Sequence, residues 1–109
     1  MKLTPIELET SQPADSAAAD LVVARAMAAA AKGDVSALFD LGVAFSTGSN
    51  GVASDFVEAH KWFNIAAAQG HEEAAFCRAD VSDEMTAREI AEAQRRARQW
   101  LAEGRRRAA

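Results

Sequence analysis

A chain of 109 residues can form one domain but is too short for two domains with separate hydrophobic cores. Half of its residues are hydrophobic, but 27 of the 109 are alanine, so large apolar side chains are too few to fill the core between stacked sheets. Alanine instead favours helices that pack closely together. A net charge of −4 points to neither a nucleic-acid nor a membrane partner, and a single cysteine excludes an intrachain disulfide.

The N-terminal part divides into an arm and a first helix. Residues 1–14 hold both prolines and show no sustained periodicity, which predicts a flexible arm. Asp15 or Ser16 can cap a helix that runs to Lys32, where Gly33 offers the left-handed conformation in which many helices end.

An apolar stretch within this helix, 21–31, superficially resembles a signal peptide. Arg25 interrupts it, acidic residues precede it, and it is too short to span a bilayer. We therefore expect a cytoplasmic protein with no membrane association.

Two further helices are predicted in the middle of the chain. One begins at Asp34, because apolar residues recur at helical spacing at positions 37, 38, 41, 44 and 45, and it stops at Gly48. The GSNG segment that follows is a loop by composition. Ser54 and Asp55 then begin a helix that ends at Gly70. Its broad apolar face carries Phe56, Ala59, Trp62, Phe63, Ala66 and Ala67.

A fourth helix is predicted from His71 or Glu72 to about Asp80, and it is followed by a polar break at 82–84. Acidic residues in its first turn suit the positive end of a helix.

The last helix opens with a capping box formed by Thr86 and Glu89, in which each side chain satisfies a free backbone donor of the first turn. It is predicted to end at Gly104, which leaves a basic tail at 105–109. About five helices joined by short turns, with no strand alternation, predict an all-α fold.

The chain also repeats itself at the interval of a helical repeat, with the second copy degraded. Matching residues lie 37 or 38 positions apart: Gly33 and Gly70, Ala37 and Ala74, Phe39 and Phe76, Ala59 and Ala97, and Trp62 and Trp100.

The better copy resembles the Sel-one-like repeat (SLR), a relative of the tetratricopeptide repeat. The residues that carry this resemblance are 37–45 (ALFDLGVAF), Gly48, Gly51, Val52, Asp55, Ala59, Lys61, Trp62 and 66–71 (AAAQGH). The resemblance covers one full repeat at about 34–70 and, more loosely, a second at about 71–103, within a single domain at 15–104. Asp40 stands where the family often has asparagine.

This resemblance implies an α/α hairpin repeat, a short TPR-like solenoid or superhelix whose curved scaffold binds proteins or peptides. The chain would then be an adaptor and not an enzyme. The repeat positions expected to be structural are Ala37, Leu41, Gly42, Phe45, Gly48, Ala59, Trp62, Ala66 and Gly70.

Gly42 supports the hairpin on physical grounds. A glycine inside a helix costs about 1 kcal/mol relative to alanine, so a compensating contact is expected. We expect a partner helix that presents Ala59, Ala66 or Trp62 to pack against the bare backbone. Phe45 and Trp62 would then fill the wedge between the two helices.

The resemblance also implies a binding face, because the first helix of each hairpin lines the concave side of TPR-like arrays. The candidate partner-binding residues on that helix are Ser36, Phe39, Asp40, Val43 and Thr47. Asp40 is the preferred one, since an acid in mid-helix has poor helix propensity and could pair with a partner's Lys or Arg. A plain solvated position is the alternative reading of Asp40.

No catalytic residue, cofactor site or metal site is predicted. The HEEAA sequence at 71–75 has alanine where a zinc protease needs its second histidine. His60, His71 and Cys77 could supply zinc ligands, but a structural site needs four. We expect an exposed His60, a His71 near a helix start, and a Cys77 that acts as a small buried apolar residue.

Charge is unevenly distributed along the chain. Residues 1–84 carry five basic and thirteen acidic residues, a net of −8, whereas residues 85–109 carry seven arginines and three glutamates, a net of +4. The arginines at the end are Arg95, Arg96, Arg98, Arg105, Arg106 and Arg107. Interaction with the negative end of the helix is the simplest explanation.

An acidic partner or nucleic acid is the alternative use of these arginines. Trp100 is the only aromatic residue among them, which disfavours nucleic acid. The alternative function is accordingly a small polyanion-associated protein acting through the C-terminal arginines.

A homodimer is a further expectation, since a short array leaves an apolar end uncovered. The candidate contact residues are Leu21, Val22, Val23, Met27, Trp100 and Leu101.

Overall fold

The computed structural model describes residue 18 and residues 20–108. Over this part of the chain there are five α-helices, one short 3₁₀ helix and no strand, so the prediction of an all-α fold with five helices is confirmed. The helices are α1 (20–31), α2 (Val35–Thr47), the 3₁₀ helix (Ser49–Gly51), α3 (Phe56–Ala68), α4 (Glu72–Ser82) and α5 (Ala87–Ala108). The predicted arm and the cap at Asp15 or Ser16 lie outside the described residues.

Side-chain caps start the helices where the sequence places them. Asp34 accepts a hydrogen bond from the backbone N–H of Ala37 at 3.2 Å, and Asp55 accepts one from Glu58 at 3.1 Å. Each bond satisfies a donor that the first helical turn leaves free.

The predicted capping box of α5 is confirmed. The backbone N–H of Glu89 donates to Thr86 Oγ1 at 3.1 Å, and the backbone N–H of Thr86 donates to Glu89 Oε1 at 2.8 Å. This reciprocal pair fixes the start of the longest helix in the described chain.

The end of α5 differs from the prediction. The helix runs through Gly104 to Ala108, so the predicted stop at Gly104 is wrong and Arg105 and Arg106 are helical. A glycine ends a helix only when it adopts a positive φ. Gly33, Gly48 and Gly70 do so at 95°, 71° and 96°, but Gly104 does not.

Helix α3 is the centre of the fold, since α2, α4 and α5 all pack against it. It contributes Trp62, Phe63 and Ile65 to the five largest fully buried side chains, and α2 contributes Leu38 and Leu41. The core therefore surrounds α3 instead of lying between two equal layers.

Gly42 makes the close approach that its position in a helix predicts, but with a different residue. A Cβ at this position would lie 2.5 Å from Cδ1 and Cε1 of Phe63, well inside normal contact distance. Trp62 was expected there, but its ring meets Trp100 of α5 edge-on at a centroid distance of 5.6 Å. The nearest contact to Gly42 is therefore Phe63, which the sequence did not point to.

Phe45 is half-buried and packs both against the main core and beside Ala44, Val52 and Val23, at the end of α2 next to α1. Phe63 was not expected at the α2–α3 interface, but its ring fits over the glycine there.

The second hairpin is not a copy of the first. Helices α4 and α5 both pack against α3 but make little direct contact with each other. At the 37-residue interval Ala79 corresponds to Gly42, and at the 38-residue interval that matches Trp62 with Trp100, Leu101 corresponds to Phe63. Ala79 carries a Cβ where the first hairpin has none, and Trp100 packs on Trp62. Ala79 stays exposed, so the hairpin is open at the point where the first one is tightest.

Candidate protein-interaction surface

Two open hollows flank the outer face of α2. The first, which we call the α1–α2 cleft, has a volume of about 300 Å³ and is lined mainly by Val22, Val23 and Ala26 of α1 and by Asp40 and Val43 of α2. The second, the α2–α4 groove, has a volume of about 230 Å³. Its lining includes Val43, Ser46 and Thr47 of α2, Cys77 and Asp80 of α4, and Phe63 of α3. Val43 lines both hollows.

The five candidate binding residues of α2 do not form one surface. Asp40 lies in the α1–α2 cleft and Thr47 in the α2–α4 groove, whereas Val43 belongs to both. Ser36 is exposed and lines neither hollow. The helix places these side chains on a wide arc, and α1 and α4 divide that arc into separate sites.

Phe39, the fifth candidate, is used inside the fold. Its ring stacks on His71 at a centroid distance of 4.4 Å and an angle of 12°, and it meets Phe63 at 5.7 Å. His71 is the N-cap of α4, and its Nδ1 accepts the backbone N–H of Ala74 at 3.1 Å. Phe39 thus holds the start of α4 against α2, a contact that the sequence did not reveal.

The hydroxyl groups along the α2–α4 groove are already satisfied. Ser46 Oγ and Thr47 Oγ1 both donate to the carbonyl oxygen of Val43, at 3.1 Å and 2.8 Å. The carboxylates of Asp40 and Asp80 are exposed, and neither makes a side-chain hydrogen bond or ion pair within the described residues. The polar groups left free on this face are therefore carboxylates, which carry negative charge and accept hydrogen bonds.

His60 departs from the expectation of an exposed residue. It is only 2 % exposed, and its Nδ1 has no hydrogen-bond partner among the described residues. Burial lowers the pKa of His60 below its ordinary 6.5, and the nearby charge of Arg78 lowers it further. Helix α3 is covered on several sides, so a position that a single apolar stripe would leave outside is buried.

Cys77 is half-buried in the α2–α4 groove and is not activated. Burial raises the pKa of its thiol, and the charges of Glu73 and Asp80 raise it further, so the group stays protonated near neutral pH. Among the residues that the structure describes, no three His, Cys, Asp or Glu side chains gather as a metal ion would require.

Part of the arginine-rich segment has a role within the fold. Arg96 donates to Glu58 of α3 at 2.8 Å and to Glu92 at 2.7 Å, while Glu58 also accepts the indole N–H of Trp62 at 3.2 Å. Hydrogen bonds from Arg95 and Arg96 lower the pKa of Glu92 to about 2. This network joins α5 to α3 at the two tryptophans.

Three other arginines of this segment make no such contact within the described part of the chain. Arg98, Arg105 and Arg106 are exposed, and no acidic side chain of the described residues lies within 4.0 Å of their guanidinium groups.

The comparison with known families bears on α2 and α3. The family model of the Sel1 repeat matches residues 35–71, which span α2, the 3₁₀ helix, α3 and the cap of α4. Residues 35–71 are a Sel1 repeat. Sel1 repeats are generally protein-interaction modules and typically non-catalytic scaffolds. The match agrees within one residue at each end with the repeat expected at about 34–70.

No curated protein and no solved structure matches the chain significantly. None of the helices in the described part combines the length and apolar character needed to cross a membrane.

Proposed function

We propose that the protein is a cytoplasmic, non-catalytic adaptor whose Sel1 repeat binds a basic peptide segment of another protein across the outer face of α2. The observation that carries this proposal is the position of Val43, which lines both the α1–α2 cleft and the α2–α4 groove. A bound segment that fills the two hollows has to cross this side chain.

The shape of the hollows favours a peptide over a small molecule. Their volumes of about 300 Å³ and about 230 Å³ lie at or below the lower end for ligand pockets, and both are open to solvent. Shallow adjoining hollows suit successive side chains of a peptide, which gain affinity from several small contacts.

The chemistry of the rim favours Lys or Arg in the partner. Asp40 stands on the α1 side of Val43 and Asp80 on the α4 side, and both carboxylates are exposed. Charge-assisted hydrogen bonds to these carboxylates would orient a peptide, while Val43 and Phe63 offer an apolar floor.

The test begins with a selection of peptides from a displayed random library on the intact protein. We expect the selected sequences to be enriched in Lys and Arg around an apolar residue. Titration of a labelled peptide should then show that Val43→Lys and Asp40→Ala each weaken binding by about tenfold or more, as is common at the centre of an interface. Circular dichroism checks that each variant remains folded.

A matched variant, Arg98→Glu with Arg105→Glu, serves as the control because it changes charge away from α2. Unchanged binding in this control together with loss in Val43→Lys supports the proposal. Binding that survives Val43→Lys but is lost in the arginine variant would overturn it and favour the polyanion-associated function.

A further inference from the structure

Phe76 of α4 is 73 % exposed, more than any other large hydrophobic residue in the described chain. A phenyl ring this exposed gains nothing from burial within its own chain, so it is available for contact with a partner. It does not line the α2–α4 groove, and α4 has only two buried residues, Ala74 and Val81.

The internal repeat shows what normally happens to a ring in this place. Phe76 corresponds to Phe39 at the 37-residue interval, and Phe39 is covered by His71 at the start of α4. Phe76 therefore occupies the equivalent position in the second hairpin but, within the described chain, has no ring stacked on it as Phe39 has.

The charges around the ring indicate the chemistry of the occupant. Glu73, Asp80 and Asp83 lie three, four and seven residues from Phe76, so all three share its face of the helix. The corresponding residues of α2 are Ser36, Val43 and Ser46, which are uncharged. The face of α4 around Phe76 is therefore acidic. Like charges disfavour contact with the same face of a second copy, and opposite charges favour contact with a basic surface.

The chain carries such a surface on its next helix. Arg98 and Arg105 of α5 are exposed and seven residues apart, with no acidic side chain of the described residues within 4.0 Å. The opposite signs of the two segments, −8 for residues 1–84 and +4 for residues 85–109, make the charges of one molecule complementary to those of another.

We infer that two copies of this chain associate through this end of the molecule, with the acidic face of α4 against the arginines of the partner's α5. Each copy carries both the acidic face and the arginines, so a twofold axis makes this contact twice in one isologous interface. A guanidinium group of the partner over the Phe76 ring adds a cation–π contact. It covers Phe76 as His71 covers Phe39. Asp80 belongs to both surfaces, since it borders the α2–α4 groove and lies on the acidic face of α4, so the dimer is measured without peptide.

The test measures self-association of the intact protein, without peptide, by sedimentation velocity. We expect a dimer with a Kd below about 1 mM at low salt. Raising the NaCl concentration from about 20 to about 500 mM should weaken it about tenfold or more, because salt screens exposed charge pairs. A strict monomer at both salt concentrations would overturn the inference.

A charge exchange makes the test specific. The first variant combines Asp80→Lys with Asp83→Lys, which places lysines in the last turn of α4, where helices favour them. The second variant combines Arg98→Glu with Arg105→Glu. Each variant alone should be monomeric, whereas an equimolar mixture should dimerise, since both contacts of the twofold interface regain opposite charges. A mixture that stays monomeric while wild type dimerises would contradict the pairing of α4 with α5.

Phe76→Ser tests the role of the ring. It should raise the dimer Kd about tenfold or more, as loss of a central aromatic contact does, without affecting thermal stability. The matched control is Leu21→Ser, which removes an exposed apolar side chain from α1. Loss of the dimer in Leu21→Ser with retention in Phe76→Ser would place the interface at the opposite end and overturn the inference.

Discussion

At the scale of single residues, two helical glycines separate the effect of packing from that of helix propensity. A Cβ at position 42 meets the Phe63 ring at 2.5 Å, whereas at position 104 nothing lies within 4 Å of it. Both residues lie inside helices, so alanine improves the backbone propensity at each of them.

We expect Gly42→Ala to destabilise the protein by about 1–3 kcal/mol, because the buried ring cannot move aside and overpacking outweighs the gain in propensity. Gly104→Ala is the matched control and should stabilise by about 0.4–1 kcal/mol. Urea denaturation of the three proteins provides the measurement. A Gly42→Ala protein more stable than wild type would show that α2 and α3 are not held at this contact.

His60 gives the protein a dependence of stability on pH. Its pKa in the folded state is lowered from 6.5 by burial and by Arg78, so below pH 6.5 the unfolded chain binds the proton more readily. Its contribution to stability is therefore complete above pH 6.5 and declines as the pH falls below it. Arg78 stays in place as a hydrogen-bond donor to Asn64 Oδ1 at 2.7 Å.

The free energy of unfolding of wild type should accordingly fall between pH 7 and pH 5, as followed by urea titrations at each pH. His60→Leu should show a smaller fall over the same range, since only the histidine titration is removed. Equal slopes for the two proteins would mean that His60 is protonated equally well in the folded state.

At the scale of helices, sequence patterns predict the elements well and their mutual packing poorly. The capping box at Thr86 and Glu89 is local in sequence, so the residues alone determine it. Whether Trp62 or Phe63 faces α2 depends on a rotation of about 100° around α3, and that rotation is fixed only when α4 and α5 are also in place. The sequence alone did not predict the burial of His60 either, because that burial also depends on how the other helices pack around α3.

The candidate site shows the same limit. Helical spacing places Asp40, Val43 and Thr47 together on one part of α2. It could not show that α1 and α4 would divide these residues between two hollows. Nor could it show that the ring of Phe39 would stack on His71, because that contact depends on the position at which α4 starts.

Helix α5 completes the core although many of its side chains are charged, so its removal should strongly affect folding. It covers Trp62 with Trp100, and its Arg96 reaches Glu58 on α3. A chain ending at Glu84 should lose cooperative thermal unfolding, because α3 would expose its largest side chain. A chain that lacks only 105–109 is the control and should unfold cooperatively, since that segment lies beyond Trp100. Cooperative melting of the shorter chain, followed by circular dichroism, would show that α5 is not required for the core.

At the scale of the whole molecule, stability is distributed unevenly around the central helix. Of the five largest fully buried side chains three belong to α3, whereas α1 buries only Ala30 among its described residues. Helices with few buried contacts open locally at a free energy below that of global unfolding. The α1–α2 cleft therefore lies beside the helix with the fewest buried residues in the described chain, and we expect the contact between Gly42 and Phe63 to lie in the most stable part.

Native-state hydrogen exchange should resolve this gradient. We expect the backbone amides of α3 to exchange only through global unfolding, with a free energy that falls with added urea as steeply as the global value does. Amides of α1 should exchange at a lower free energy that changes little with urea, because local opening exposes little surface. Gly42→Ala should lower the protection of α3 and leave that of α1 nearly unchanged. Uniform protection across α1 and α3 would instead mean that the helices unfold as one unit and that the cleft is as rigid as the core.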